Sequence, residues 1–106
     1  MAEKIEDQGA MPFIPEDKTL LLVDDDVPFL TRLARAMEAR GYEVTTANTI
    51  KDGREMARAK KPGFAVVDLR LEDGNGLDVV AAMQEARPEA RIVVLTGYGN
   101  IATAVA

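Results

Sequence analysis

The residues of this chain whose types and spacing could do chemistry are three consecutive acids, Asp24, Asp25 and Asp26, a fourth acid, Asp68, and a hydroxyl, Thr96. Each group follows an apolar run, at residues 20–23, 64–67 and 92–95. Carboxylates brought together from two such run ends would repel one another and raise each other's pKa unless a cation intervened. A hard divalent ion with oxygen ligands and retained waters, Mg2+ above all, fits that donor set. With the ion in place, an ionised aspartate could attack a phosphoryl group while the metal offsets charge on the transferring oxygens. The Thr96 hydroxyl could donate to a phosphoryl oxygen, with Gly97 leaving room for approach. Taken singly, each residue also has a plainer reading: Asp68 as a turn or cap, residues 24–26 as a solvated helix-capping turn, Gly74 and Gly76 as an ordinary turn. What sets them apart is their conjunction, acids at the ends of two strands and a hydroxyl at the end of a third.

That conjunction requires elements that carry the run ends to one edge. Thr19–Val23 reads as a short apolar strand, and Pro28 suits the first turn of a helix that Asp26 could cap. Phe29, Leu30, Leu33, Ala34 and Met37 give this helix one apolar face, and Gly41 is placed to end it. Tyr42, Val44 and Thr46 alternate with Glu43 and Thr45, the pattern of a half-exposed edge strand. A second helix opens at Asn48 or Thr49, where Thr49 and Asp52 make a weak capping box. Gly53 costs that helix about 1 kcal/mol relative to alanine, and Lys61-Pro62-Gly63 ends it. Phe64–Asp68 is apolar on both faces, as a strand inside a parallel sheet must be. Leu77–Ala86 makes a third helix closed by Pro88, residues 91–96 a fourth strand, and Asn100 starts a further helix. Met37, Met56 and Met83 read as core packing. The order βαβαβαβ with a started helix predicts an α/β fold with a mostly parallel sheet and right-handed crossovers. If the first and third strands are neighbours, the switch point between them faces Asp24 and Asp25 with Asp68.

Bulk properties narrow the field. With 106 residues, 47% of them hydrophobic and 29% charged, the chain makes one soluble domain. Its net charge of -5 argues mildly against nucleic acid or an anionic membrane as a direct partner. No cysteine is present, which excludes disulfides, thiolate metal sites and thiol redox sensing, and no histidine, which excludes phosphohistidine chemistry on this chain. Residues 1–18 mix charges with Gly9, Pro12 and Pro15 and read as a flexible leader, whose Phe13 and Ile14 could dock on a neighbouring surface. Neither a signal peptide nor a bilayer-spanning run is evident, so a cytoplasmic protein is expected.

The runs Leu20-Leu21-Leu22-Val23-Asp24-Asp25-Asp26, Val66-Val67-Asp68-Leu69-Arg70-Leu71 and Val93-Val94-Leu95-Thr96-Gly97 resemble the successive signatures of a two-component response regulator receiver domain. The resemblance covers residues 19–106 and implies a CheY-like (flavodoxin-like), doubly wound parallel sheet of strand order 2-1-3-4. It also implies that Asp68 is the phosphoacceptor, that Asp24, Asp25, Asp68 and the backbone carbonyl of Arg70 hold Mg2+, and that Thr96 is the switch hydroxyl. The partner it implies is a sensor histidine kinase, and the domain would not be an enzyme beyond Mg2+-dependent self-phosphorylation and slow self-dephosphorylation. The runs at residues 73–80 and 96–105 are similar to the redox-responsive RegA/PrrA/ActR transcriptional regulators, which bind DNA through a C-terminal helix-turn-helix that this chain lacks. Any redox sensing would then fall to the kinase.

The family pattern continues with a fifth strand, a lysine after it and a last helix, which this chain lacks, so a C-terminally truncated receiver is expected. Lys60 and Lys61 precede the central strand and cannot replace that lysine. The apolar edge at residues 92–95 is then open to self-association. Two rival functions remain on residue grounds. One is a receiver-like interaction module that is never phosphorylated. The other is a Mg2+-dependent phosphohydrolase, against which stands Arg70 where a second acid is expected.

Overall fold

The apolar runs become neighbours in one parallel sheet. The computed structural model of the chain describes residues 17–96, so the expectations for the leader up to Glu16, for Gly97 and for a helix from Asn100 lie outside the described residues. In chain order the elements are β1 (Thr19–Val23), α1 (Val27–Ala39), β2 (Glu43–Ala47), α2 (Ile50–Lys60), β3 (Phe64–Asp68), β4 (Arg70–Leu71), β5 (Gly74–Asn75), α3 (Leu77–Ala86) and β6 (Arg91–Leu95). The main sheet runs β2-β1-β3-β6 with every pair parallel, which is the expected order 2-1-3-4 in the CheY-like fold. The expectation had a plain loop where β4 and β5 form a small antiparallel hairpin.

The helix boundaries follow from local chemistry. Asp26 caps α1 by accepting the Phe29 N–H at 3.1 Å, and Gly41, at φ 94°, carries the chain away after it. Thr49 caps α2 by accepting the Asp52 N–H at 3.0 Å. Gly53, a weakness of α2 by propensity, is a requirement of its packing: a Cβ there would lie 3.0 Å from Val79 Cγ2 and 3.2 Å from Val23 Cγ2. Close approach of α2 to β1 and α3 therefore outweighs the glycine's entropic cost.

Two apolar layers sandwich the sheet. Leu21, Val23, Ala65, Val67, Ile92 and Val94 face α2 and α3, where Val79 and Met83 are fully buried. Leu20, Leu22 and Leu30 form the opposite layer under α1, with Leu33, Met37, Val44, Phe64 and Val66 packed against it. Met37 and Met56 pack at the edges of these layers, as expected of core methionines. β1 is buried on both faces, and removing a side chain such as Leu21 from water contributes about 2 kcal/mol.

The amino end of the sheet is tied by a polar network. Arg87, after α3, pairs with the carboxylate of Asp17, reaches Glu89 at 3.1 Å and donates to the Lys61 carbonyl at 3.1 Å. Asp17 also accepts from the Thr19 hydroxyl at 2.8 Å, and that hydroxyl's oxygen accepts the Gly63 N–H at 2.9 Å. Lys18 places its Nζ 5.2 Å from the centre of the Tyr42 ring, while its carbonyl accepts the Glu43 N–H at 2.9 Å. Asp17 and Lys18, expected in the leader, are thus held by the domain.

Candidate metal centre

Register alone sets the acids side by side. Val23 pairs with Val67 between β1 and β3, so the next residues, Asp24 and Asp68, leave adjacent strands at the same level. Asp68 in turn pairs with Leu95 of β6, which puts Thr96 one residue beyond it on the other side. The Leu69 N–H donates to the Leu95 carbonyl at 2.8 Å and fixes that junction. One carboxylate oxygen from each of Asp24, Asp25 and Asp68 lies within 4.8 Å of the others. Asp26, the third acid of the triplet, is outside this cluster and caps α1.

Burial sets the electrostatics. Asp24 is only 9% exposed, and desolvation pushes its pKa above the ordinary aspartate range. The Asp26 N–H, donated to its Oδ1 at 2.9 Å, opposes that shift, while the charges of Asp68, Asp25 and Asp26 add to it. Asp68 is likewise raised, first by desolvation and further by Asp25, against the backbone amides of Arg70 and Leu69. Its Oδ1 is buried with no hydrogen-bond partner. A buried carboxylate oxygen without a donor is costly, and a hard cation is the species that would satisfy it together with Asp24 and Asp25. The residues present therefore fit Mg2+.

Backbone close to Asp68 is packed without slack. The Gly76 N–H donates to the Leu69 carbonyl at 2.7 Å, and a Cβ on Gly76 would lie 2.0 Å from the Asp68 carbonyl oxygen. Only glycine fits that contact, so Gly76 is more than the ordinary turn residue it looked. Asp25 is exposed and accepts the Glu72 N–H on Oδ2 at 3.1 Å. Arg70, expected to offer its carbonyl, opens β4 opposite Asn75 and directs its N–H toward the Asp68 carboxylate. These amide contributions escape sequence reasoning because any residue type can supply them. The one available signal was the dipeptide Asp73-Gly74, a hairpin turn signature.

Residues 20–106 match the family of the response regulator receiver domain. The chain belongs to that family. Receiver domains are signalling domains rather than turnover enzymes, and they bind Mg2+ at an acidic pocket. This receiver is 66% identical over 90 residues to the photosynthetic apparatus regulatory protein RegA of Cereibacter sphaeroides, a match that covers 85% of this chain and 49% of that protein. It is 58% identical over 92 residues to the acid tolerance regulatory protein ActR of Rhizobium meliloti, covering 87% and 47% respectively. The chain thus spans about half the length of these curated relatives. Among solved structures, it resembles a response regulator from Burkholderia pseudomallei with a phosphorylated aspartic acid, calcium ion and citrate, at 43% identity and TM-score 0.73, over 77% of this chain and 48% of that one. A CheY-like receiver domain from Methanospirillum hungatei matches at 30% identity and TM-score 0.72, over 78% of this chain and 66% of that one. Among the described residues no helix is long and apolar enough to cross a membrane.

Proposed function

We propose that this receiver accepts a phosphoryl group on Asp68 from the phosphohistidine of a sensor histidine kinase, and that the acyl phosphate is read out by a transcriptional output in the parent protein. One observation carries the reading: Asp68 Oδ1 is buried without a partner inside a cluster of three carboxylates. That is the arrangement of a nucleophile held ready for a cation and a phosphoryl group. Asp24, Asp25, Asp68 and the Arg70 carbonyl would hold Mg2+, which when bound offsets negative charge on the transferring oxygens. A carboxylate oxygen of Asp68 forms the new O–P bond as the donor's P–N bond breaks, and the electron pair leaves on the donor imidazole. Asp24, brought beside Asp68 by the strand register, would help hold the ion. Thr96, one residue past Leu95, the partner of Asp68 on the neighbouring strand, donates its hydroxyl to a phosphoryl oxygen and so couples the modification to the segment that follows β6. Slow hydrolysis of the acyl phosphate resets the domain.

The relatives' names, regulation of the photosynthetic apparatus and of acid tolerance, support a regulatory output of the RegA/ActR kind, with DNA contacted through a part outside this chain. The test is to incubate the chain with a small-molecule phosphodonor and Mg2+ and follow its intact mass. One added phosphoryl group is expected, absent in Asp68→Asn and after chelation of the metal. Unmodified wild-type protein, or modification that persists in Asp68→Asn, overturns the reading.

A further inference from the structure

The β4–β5 hairpin turns through two residues, Glu72 and Asp73, between the pair formed by Leu71 and Gly74. The two point their polar groups at different places. The Glu72 N–H donates to Asp25 Oδ2 at 3.1 Å, across 47 positions of sequence. The Asp73 carboxylate accepts the Ile50 N–H at 2.9 Å on one oxygen and 3.0 Å on the other, and the Lys51 N–H at 3.3 Å. Those are free amides of the first turn of α2, which Thr49 leaves unmet because it takes only the Asp52 N–H. The hairpin has little freedom to adjust: Leu71 is buried in the core, and Gly74 holds φ 152°, a conformation that side-chain-bearing residues rarely adopt.

We propose that Asp73 is a positioning residue for the acidic centre: by clamping the hairpin to the amino end of α2, it holds the Glu72 N–H against Asp25 and fixes the orientation in which Asp25 meets the divalent ion. The inference rests on the metal reading above. A donor on Oδ2 keeps one lone-pair direction of Asp25 occupied and turns the rest of the carboxylate toward Asp24 and Asp68. In a two-residue turn neither Glu72 nor Asp73 can shift without the other, so freeing Asp73 from α2 loosens Asp25 some distance away. Supporting groups of this kind change metal affinity without touching the metal.

The test compares two ways of weakening the same helix end. Mg2+ is titrated into the 106-residue chain and followed by amide NMR shifts near the acids, with thermal unfolding measured in parallel. Asp73→Ala is expected to weaken Mg2+ binding about tenfold. Thr49→Ala, which also removes an α2 cap but leaves the hairpin anchored, is expected to lower the melting temperature comparably while leaving Mg2+ affinity unchanged. Asp73→Asn keeps an acceptor oxygen and should recover most of the affinity. Equal weakening by Asp73→Ala and Thr49→Ala, or unchanged affinity in Asp73→Ala, overturns the positioning role while leaving the metal site intact. A wild-type chain that does not respond to Mg2+ overturns the metal reading and this inference with it.

Discussion

At the amino end of the sheet, Asp17 shares its carboxylate between the Arg87 guanidinium and the Thr19 hydroxyl, and its pKa is held below the ordinary range, chiefly by Arg87. At the carboxyl end, Asp24 and Asp68 are held above that range by burial, and the charges acting on them are negative. The same parallel strands thus carry acids of opposite electrostatic condition at their two ends. Where the chain supplies its own cation, the group serves the fold and asks nothing of the solvent. Where it supplies only amides and further carboxylates, the demand is left for a species from outside. An acid's role is told by what answers its charge rather than by its residue type.

The largest effect is expected at the amino end. Arg87→Ala is expected to cost about 2 kcal/mol in urea unfolding, because it takes the countercharge from Asp17, leaving it only its Thr19 donors, and frees the Lys61 carbonyl at once. Its Mg2+ response should be intact; loss of that response would mean that the two ends are not separable. Next in size is Asp68→Asn at the carboxyl end, expected to stabilise the Mg2+-free domain by about 1 kcal/mol through removal of a desolvated charge whose buried Oδ1 has no hydrogen-bond donor. The same variant should lose the stabilisation that Mg2+ gives the wild type. Destabilisation of the metal-free variant would show that Asp68 is already satisfied and would erase the contrast.

The smallest effect is in pH, and its sign differs between the ends. Asp24 and Asp68 have raised pKa values in the folded state, so their unfavourable contribution sets in as pH rises through those values and is complete at neutral pH. Asp17 has a lowered value, so its favourable contribution is complete at neutral pH and is lost as pH falls through its folded pKa; Asp73 and Glu89 follow the same sign. The Mg2+-free domain should therefore gain stability on mild acidification and lose it in stronger acid. Saturating Mg2+ should remove the gain and leave the loss, which a series of melting curves would check.

The strands and helices were legible because their patterns are local: an apolar run, a capping aspartate, a proline in a first turn. That the acids come together was legible because they sit at strand ends, where parallel order alone makes Asp24 and Asp68 neighbours. What stayed hidden depends on distance in sequence or on backbone groups. The Asp17–Arg87 pair spans 70 positions, and nothing near either residue announces the other. The amides of Glu72 and Arg70 carry no side-chain signature. Gly53 was misjudged as a weakness because propensity counts its entropy and not the valine side chains that press against it.

β1 is paired with β2 on one side and β3 on the other, and covered on both faces. Its amide protons can therefore exchange with solvent only when the sheet as a whole opens, which makes residues 21–23 an internal gauge of global stability. Asp24 and Asp25 hang directly from that strand. A ligand captured there slows exchange along β1 by the factor its binding adds to the folding equilibrium, so protection measured on three apolar residues reports the affinity of a site they never touch.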